Sequence, residues 1–329
     1  MPAYNRRCDP ALAYPRRDYR IGIRIGIRLR SRLRIRLRVT CHTLTCQACD
    51  ANRALQGCLM LRRYRQWREQ RLIKKYAVSD IAWSNALMFY PFFDDLTPDQ
   101  NQRLRNLVSL FCAEKEFVAG GDFEITLAIQ LEIAAQACLP ILNLDLSFYA
   151  GWHGIVVYRG EMRVHREEMD EDGVVHTYDD IISGEAMPGG PVVLSWQDVT
   201  LAGSSSAPGY NVVIHEFAHK IDMLKGDATG VPPFSSTFHR DLNGRQFEAV
   251  LMQSYQAFAL AVDQWEARGE HDDDAPLIDP YAAEHPAEFF AVLSEAFFTK
   301  PQRVVDTFPE MYRQLAAYYR QNPCAGASP

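Results

Sequence analysis

Tyr210-Asn-Val-Val-Ile-His-Glu-Phe-Ala-His-Lys-Ile-Asp222 decides the reading of this chain. The segment predicts a buried helix, because Val212, Val213, Ile214, Phe217, Ala218, Ile221 and Leu224 make most of its circumference apolar. His215, His219 and Asp222 are the exceptions. Residues four apart lie one helical turn from each other on one face. Two imidazoles so placed reach a single Zn²⁺ at about 2.0–2.1 Å. Glu216 between them can then act on a water at the metal. A polar stripe on a buried helix is costly unless something satisfies it, and a metal does so. The alternative is a pair of core histidines hydrogen-bonded to neighbours. Gly226 supplies a helix stop, and the run from Gly203 to Gly209 a flexible lead-in. The pattern predicts a zinc hydrolase, with a peptidase as the first expectation.

A catalytic zinc site needs a third protein ligand and an open position for water. Candidates lie between Ile278 and Phe298. Pro286 suits the first turn of a helix. Glu288 and Glu295 then fall two turns apart on one face, among Phe289, Phe290, Val292, Leu293, Phe297 and Phe298. A carboxylate in so apolar a helix needs a partner, since an unpaired buried charge is costly. Spacing alone leaves Glu284, Glu288 and Glu295 equal, and any of them can be an ordinary salt-bridged acid.

Four blocks occur in order: Gly190 to Trp196, Gly209 to Asp222, Gly226-Asp227, and Asp279 to Glu295. On these the chain resembles the Mlc titration factor A family of bacterial zinc metallopeptidases, of the gluzincin type, from roughly Leu61 to Pro323. The resemblance implies that His215, His219 and Glu288 hold one zinc and that Glu216 is the catalytic glutamate. It implies that Tyr281 assists the transition state; read without it, Tyr281 is equally an ordinary turn residue after Pro280. It further implies an α+β, mainly helical, zincin-like domain with a small sheet bordering the His-Glu-x-x-His helix. Aminopeptidase-type activity on peptides follows, as does binding of the glucose-responsive repressor Mlc. A repressor-sequestering protein with a vestigial zinc site is the rival reading, and a hydrolase of non-peptide amides is a second. The stretch between motif and third ligand is longer than in the family's best-known members. The extra length falls near Arg268 to Pro276, at the substrate rim.

In this chemistry Glu216 takes the proton of a water whose pKa the metal lowers towards ~7, and passes it to the leaving amine. Tyr281 donates a hydrogen bond to the developing oxyanion. Asp222 either orients a zinc histidine or pairs with Lys220 or Lys225. Pro191 to Trp196 reads as a strand that either borders the cleft, where a peptide can add to it, or lies inside the core.

Charge divides the chain. Residues 1–75 hold 20 Lys and Arg against 4 Asp and Glu, a net of +16, and the remainder is net −22. Arg20 to Val39 alternates arginine with aliphatic residues, a pattern that as a strand would suit nucleic acid or an anionic surface. The preferred expectation is a start at Met60, with the upstream stretch a mis-set reading frame. The expected organisation is an arm 1–59, a metallopeptidase domain 60–325 and a tail 326–329. The basic arm lacks the uninterrupted apolar run of a signal peptide or a spanning helix. Cys41, His42, Cys46, Cys49 and Cys58 form only a loose metal-site pattern, and His271 with Asp272 to Asp274 reads as an acidic loop. Cys112, Cys138 and Cys324 make no disulfide framework, which fits a reducing cytoplasm. Neither nucleic acid nor a membrane is expected as a partner of the catalytic domain.

Elsewhere, Leu61 to Tyr76 reads as a basic amphipathic helix, and Thr97-Pro98-Asp99-Gln100 as a capping box opening another. Helices are expected at Glu124 to Cys138, Gln246 to Trp265, Pro286 to Lys300 and Met311 to Arg320. A strand is expected at Ile155 to Tyr158, and an acidic loop at Glu167 to Asp172.

Overall fold

The computed structural model describes residues 63–169, 175–202, 209–269, 271 and 275–326. The arm 1–59 with its cysteines, the lead-in 203–208, Asp272 to Asp274 and the last residues lie outside the described residues.

Local capping sets most helix boundaries. Helix α1 covers residues 63–75 and is largely exposed. Ser79 caps α2 (Asp80–Leu87) through the Ala82 amide. At α3 (Pro98–Glu114) the expected capping box forms in both directions between Thr97 and Gln100. Helix α4 (Leu127–Cys138) starts later than expected. The Thr126 side chain accepts from the Ile129 amide, and this cap leaves Glu124 and Ile125 outside.

Strands β1 (Glu116–Ala119), β2 (Gly154–Tyr158), β5 (Gly184–Ala186) and β6 (Val192–Ser195) make one sheet in the order β1-β2-β6-β5. The first two pairings are parallel and β5–β6 is antiparallel. Strand β6 lies between β2 and β5 with all four residues buried, so the predicted Pro191–Trp196 strand is interior, and the short β5 is the edge next to it. Strands β3 (Met162–Met169) and β4 (Val175–Ile182) form a separate antiparallel hairpin. The expected acidic loop Glu167 to Asp172 is therefore corrected over its first three residues, while residues 170–172 lie outside the described residues. Glu167 to Met169 end β3, opposite Thr177, His176 and Val175. Main-chain pairing satisfies the backbone whatever the side-chain charge, and the acidic composition gives no sign of its partner strand.

The remaining helices are α5 (Trp196–Leu201), α6 (Val212–Asp222), α7 (Gly244–Ala267), α8 (Pro286–Thr299), α9 (Pro301–Thr307) and α10 (Pro309–Tyr319). The architecture is mainly helical with a small sheet beside α6, which bears out the α+β expectation in that form. Among the described residues no helix is long and apolar enough to cross a membrane.

Helix α6 is the hub. It packs on α8, α4, β5 and β6. Val213, Ile214, Phe217, Ala218 and Ile221 are fully buried on its back. The Phe217 ring sits 5.0 Å from Tyr149, 5.6 Å from Trp152 and 5.7 Å from Phe111, in an aromatic cluster. Such contacts are worth about 0.5–1.5 kcal/mol per pair beyond burial and fix the rotation of the helix. The opposite face, with its histidines, is thereby held towards a cleft.

Candidate metal centre

Asn211 opens the site. Its side chain accepts from the Ile214 amide and caps α6, while its Nδ2 donates to Gln136 of α4. The cap sets the phase of the helix, so His215 and His219 both face α8. Pro286 occupies the first turn of α8 as predicted, and Glu288 lies in that turn. The two helices bring His215 Nε2, His219 Nε2 and Glu288 Oε2 together. His215 Nε2 is 3.1 Å from His219 Nε2 and 3.1 Å from the Glu288 oxygen, and His219 Nε2 is 3.2 Å from it. Among the described residues this is the cluster of three or more such side chains able to hold a metal.

The donor set fits a metal ion. Tetrahedral Zn²⁺ with bonds of about 2.0–2.1 Å separates its ligand atoms by about 3.3–3.4 Å, close to these distances. Two imidazole nitrogens and a carboxylate oxygen converging in this way need a cation or protons between them. The proton affinities show the same demand. Burial opposes charge on His215, but the Glu295 charge and hydrogen bonds to Glu288 and Glu295 outweigh it and hold the imidazole well above its ordinary range. Burial would raise Glu288, yet the two imidazoles hold it far below the usual carboxylate range.

The other candidate acids separate cleanly. Glu295 sits behind His215: the His215 Nδ1–H donates to its Oε1 at 2.5 Å, and the Asn211 amide donates to its Oε2 at 2.7 Å. This contact selects the tautomer that leaves Nε2 free to face the cluster. Burial raises the Glu295 pKa, against the lowering effect of His215. Glu284 lines the cleft outside the cluster. Glu216 is buried beside the histidines and also lines the cleft; burial pushes its pKa up, partly offset by His215 and His219. Tyr281 stands in a 3₁₀ turn, Pro280–Ala283, whose N-cap Asp279 accepts from its amide. It is 46 % exposed, its ring lies 6.1 Å from that of His215, and it forms part of the cleft wall. The cleft holds about 560 Å³.

Asp222 takes neither of its expected roles. Its Oδ2 accepts from the Thr229 amide at 2.8 Å and the Gly230 amide at 2.6 Å, and no hydrogen bond joins it to a histidine among the described residues. Burial lifts it to about 6 despite these bonds. Gly230, at φ +82°, lies so near Pro286 that a Cβ there would run into its carbonyl. Asp222 thus holds the loop on which the start of α8 rests. Lys220 is committed elsewhere, donating to Met187 O at 2.6 Å and Gly190 O at 2.8 Å. Its ammonium lies 4.8 Å from the Trp152 ring centroid, and that of Lys115 3.6 Å from it. Burial lowers both lysines to about 8. Sequence reasoning missed Lys115 and β5. A lysine just before a strand and a three-residue strand carry no periodic signal.

Comparison with known proteins identifies a family. The family model described as glucose-regulated metallo-peptidase M90 matches residues 64–320. A protein named Mlc titration factor A from Salmonella choleraesuis (strain SC-B67) is 35 % identical over 257 residues, 78 % of this chain and 91 % of the relative. One of the same name from Pectobacterium atrosepticum is 36 % identical over 244 residues, 74 % of this chain and 87 % of the relative. The resemblance read from the four sequence blocks is thereby borne out, and this chain belongs to the glucose-regulated metallo-peptidase M90 family.

Proposed function

We propose that this chain is a zinc-dependent peptidase of zincin-like, gluzincin design, acting on peptides with a free amino terminus. The observation that carries the reading is the convergence of His215, His219 and Glu288 within 3.1–3.2 Å of one another beside a buried Glu216. His215, His219 and Glu288 would hold the zinc. Bound there, zinc lowers the pKa of a water towards about 7 and polarises a carbonyl. Glu216 accepts the proton of the attacking water on a carboxylate oxygen. It then delivers that proton to the departing amine nitrogen, so it ends each cycle as it began. The hydroxyl of Tyr281, a residue of the cleft wall, donates to the oxygen that gains charge. Strand β5, with β6 on one side only among the described residues, offers main-chain groups to an extended peptide. Glu295 keeps His215 in its ligating tautomer.

Zinc analysis and peptide assays test this directly. Purified protein is expected to carry one zinc per chain and to cleave free-amine peptides faster than amino-blocked ones. Chelation should stop hydrolysis and added zinc restore it. Equal rates on blocked peptides would exclude the aminopeptidase assignment. Glu295→Gln is expected to weaken zinc retention about 10–100-fold in chelator competition, the usual effect of removing a partner behind a ligating histidine. Unchanged retention would leave Glu295 no part in the site.

The relatives' printed name, Mlc titration factor A, supports a second role, binding of Mlc or an analogue, alongside catalysis. Pull-down with purified Mlc tests it, and Glu216→Gln separates the roles: binding should survive that change.

A further inference from the structure

Val212, Glu216 and Lys220 stand four residues apart and form one stripe along α6, next to the stripe carrying His215 and His219. The β5–β6 hairpin lies along this stripe. At one end Lys220 donates to the carbonyls of Met187 and Gly190, the two ends of the hairpin turn. At the other end Gly184 meets Glu216 and Val212. A Cβ built on Gly184 would stand 2.6 Å from Glu216 Oε1, 2.9 Å from Glu216 Cγ and 2.7 Å from Val212 Cγ2. Real Cβ atoms essentially never approach so closely. Backbone freedom does not explain this glycine, because Gly184 is not among the residues of positive φ. Space does. Gly184 is also held in register, opposite Leu194, and the Ser183 carbonyl next to it accepts from the Ser195 amide at 2.8 Å. The strand therefore has little room to retreat.

We propose that Gly184 is a positioning residue for Glu216: the bare backbone of the cleft-edge strand is the wall against which the carboxylate rests, and Lys220 holds that wall to the helix. The strand's distance from α6 then sets where the carboxylate stands relative to the metal ligands. The kinetic part of this inference rests on the proposed role of Glu216 as proton acceptor, while the packing part does not.

The test is Gly184→Ala, with Glu216→Ala and the double variant, read by zinc content, kcat, KM and Tm. Gly184→Ala is expected to keep its zinc and its KM while kcat falls on the order of 10²-fold, as when a reacting group is misplaced by about 1 Å. Its Tm should fall by about 5 °C from overpacking. In the Glu216→Ala background the same substitution should cost measurably less, because two of the three close contacts go with the Glu216 side chain and only that with Val212 remains. A kcat within about threefold of wild type, or equal Tm losses in both backgrounds, would overturn the proposal. If Gly184→Ala fails to fold, the double variant is expected to fold; its failure too would overturn the proposal. Should wild type hydrolyse no peptide, the Tm comparison still decides the contact, so the two readings fail separately.

Discussion

Glu216→Gln is expected to lower kcat for peptide hydrolysis by about 10²–10⁴-fold, the range supplied by a positioned acid–base group. The change is nearly isosteric, and Glu216 makes none of the three close contacts that assemble the metal centre. Zinc content should therefore match wild type. Stability should hold or rise slightly, because burial already penalises the charged form of Glu216. KM should change little if the carboxylate acts only on the proton in flight. Rates and metal content measured on one preparation check this. Hydrolysis persisting at the wild-type rate would remove Glu216 from the mechanism. Loss of zinc together with activity would instead make it a structural residue.

The second large effect is expected at the metal. His219→Ala and Glu288→Ala should each empty the site, since either leaves only two donors of a three-donor set. The consequence reaches stability. An ion that binds only the folded chain, at about 1,000 times its Kd, stabilises by about 4 kcal/mol. For a domain of this size that corresponds to roughly 10 °C in Tm. Wild type should thus melt about 10 °C higher in zinc than in chelator by this linkage, and neither variant should show the difference. Calorimetry with and without zinc reads it. A variant that keeps the wild-type increment would show that the deleted side chain does not hold the ion. Glu288→Ala is the sharper case, because its partners come from a different helix some 70 positions away.

Much of this molecule could be read locally. The 3.6-residue repeat places His215 over His219 in any helix, and the Thr97 capping box and Pro286 mark helix starts without outside help. Other features misled for physical reasons. Glu167 to Met169 looked like a solvated loop because strand pairing is decided by a partner, here β4. Asp222 looked like a partner for a lysine or a histidine on its own helix. Its carboxylate instead turns to the amides of Thr229 and Gly230, beyond the helix end.

By itself, then, the sequence determined that two imidazoles and a glutamate share one buried helix, that a second apolar helix carries Glu288 and Glu295 on one face, and which family these blocks resemble. Only the tertiary structure decided that Glu288 faces both imidazole Nε2 atoms, that Glu295 stands behind His215, and that β5 rather than β6 edges the cleft. The difference is one of range. Spacing within a helix follows from backbone geometry common to all helices. The distance between α6 and α8 depends on how Asn211, Gly230 and the aromatic cluster pack from remote parts of the chain, and no local pattern encodes that.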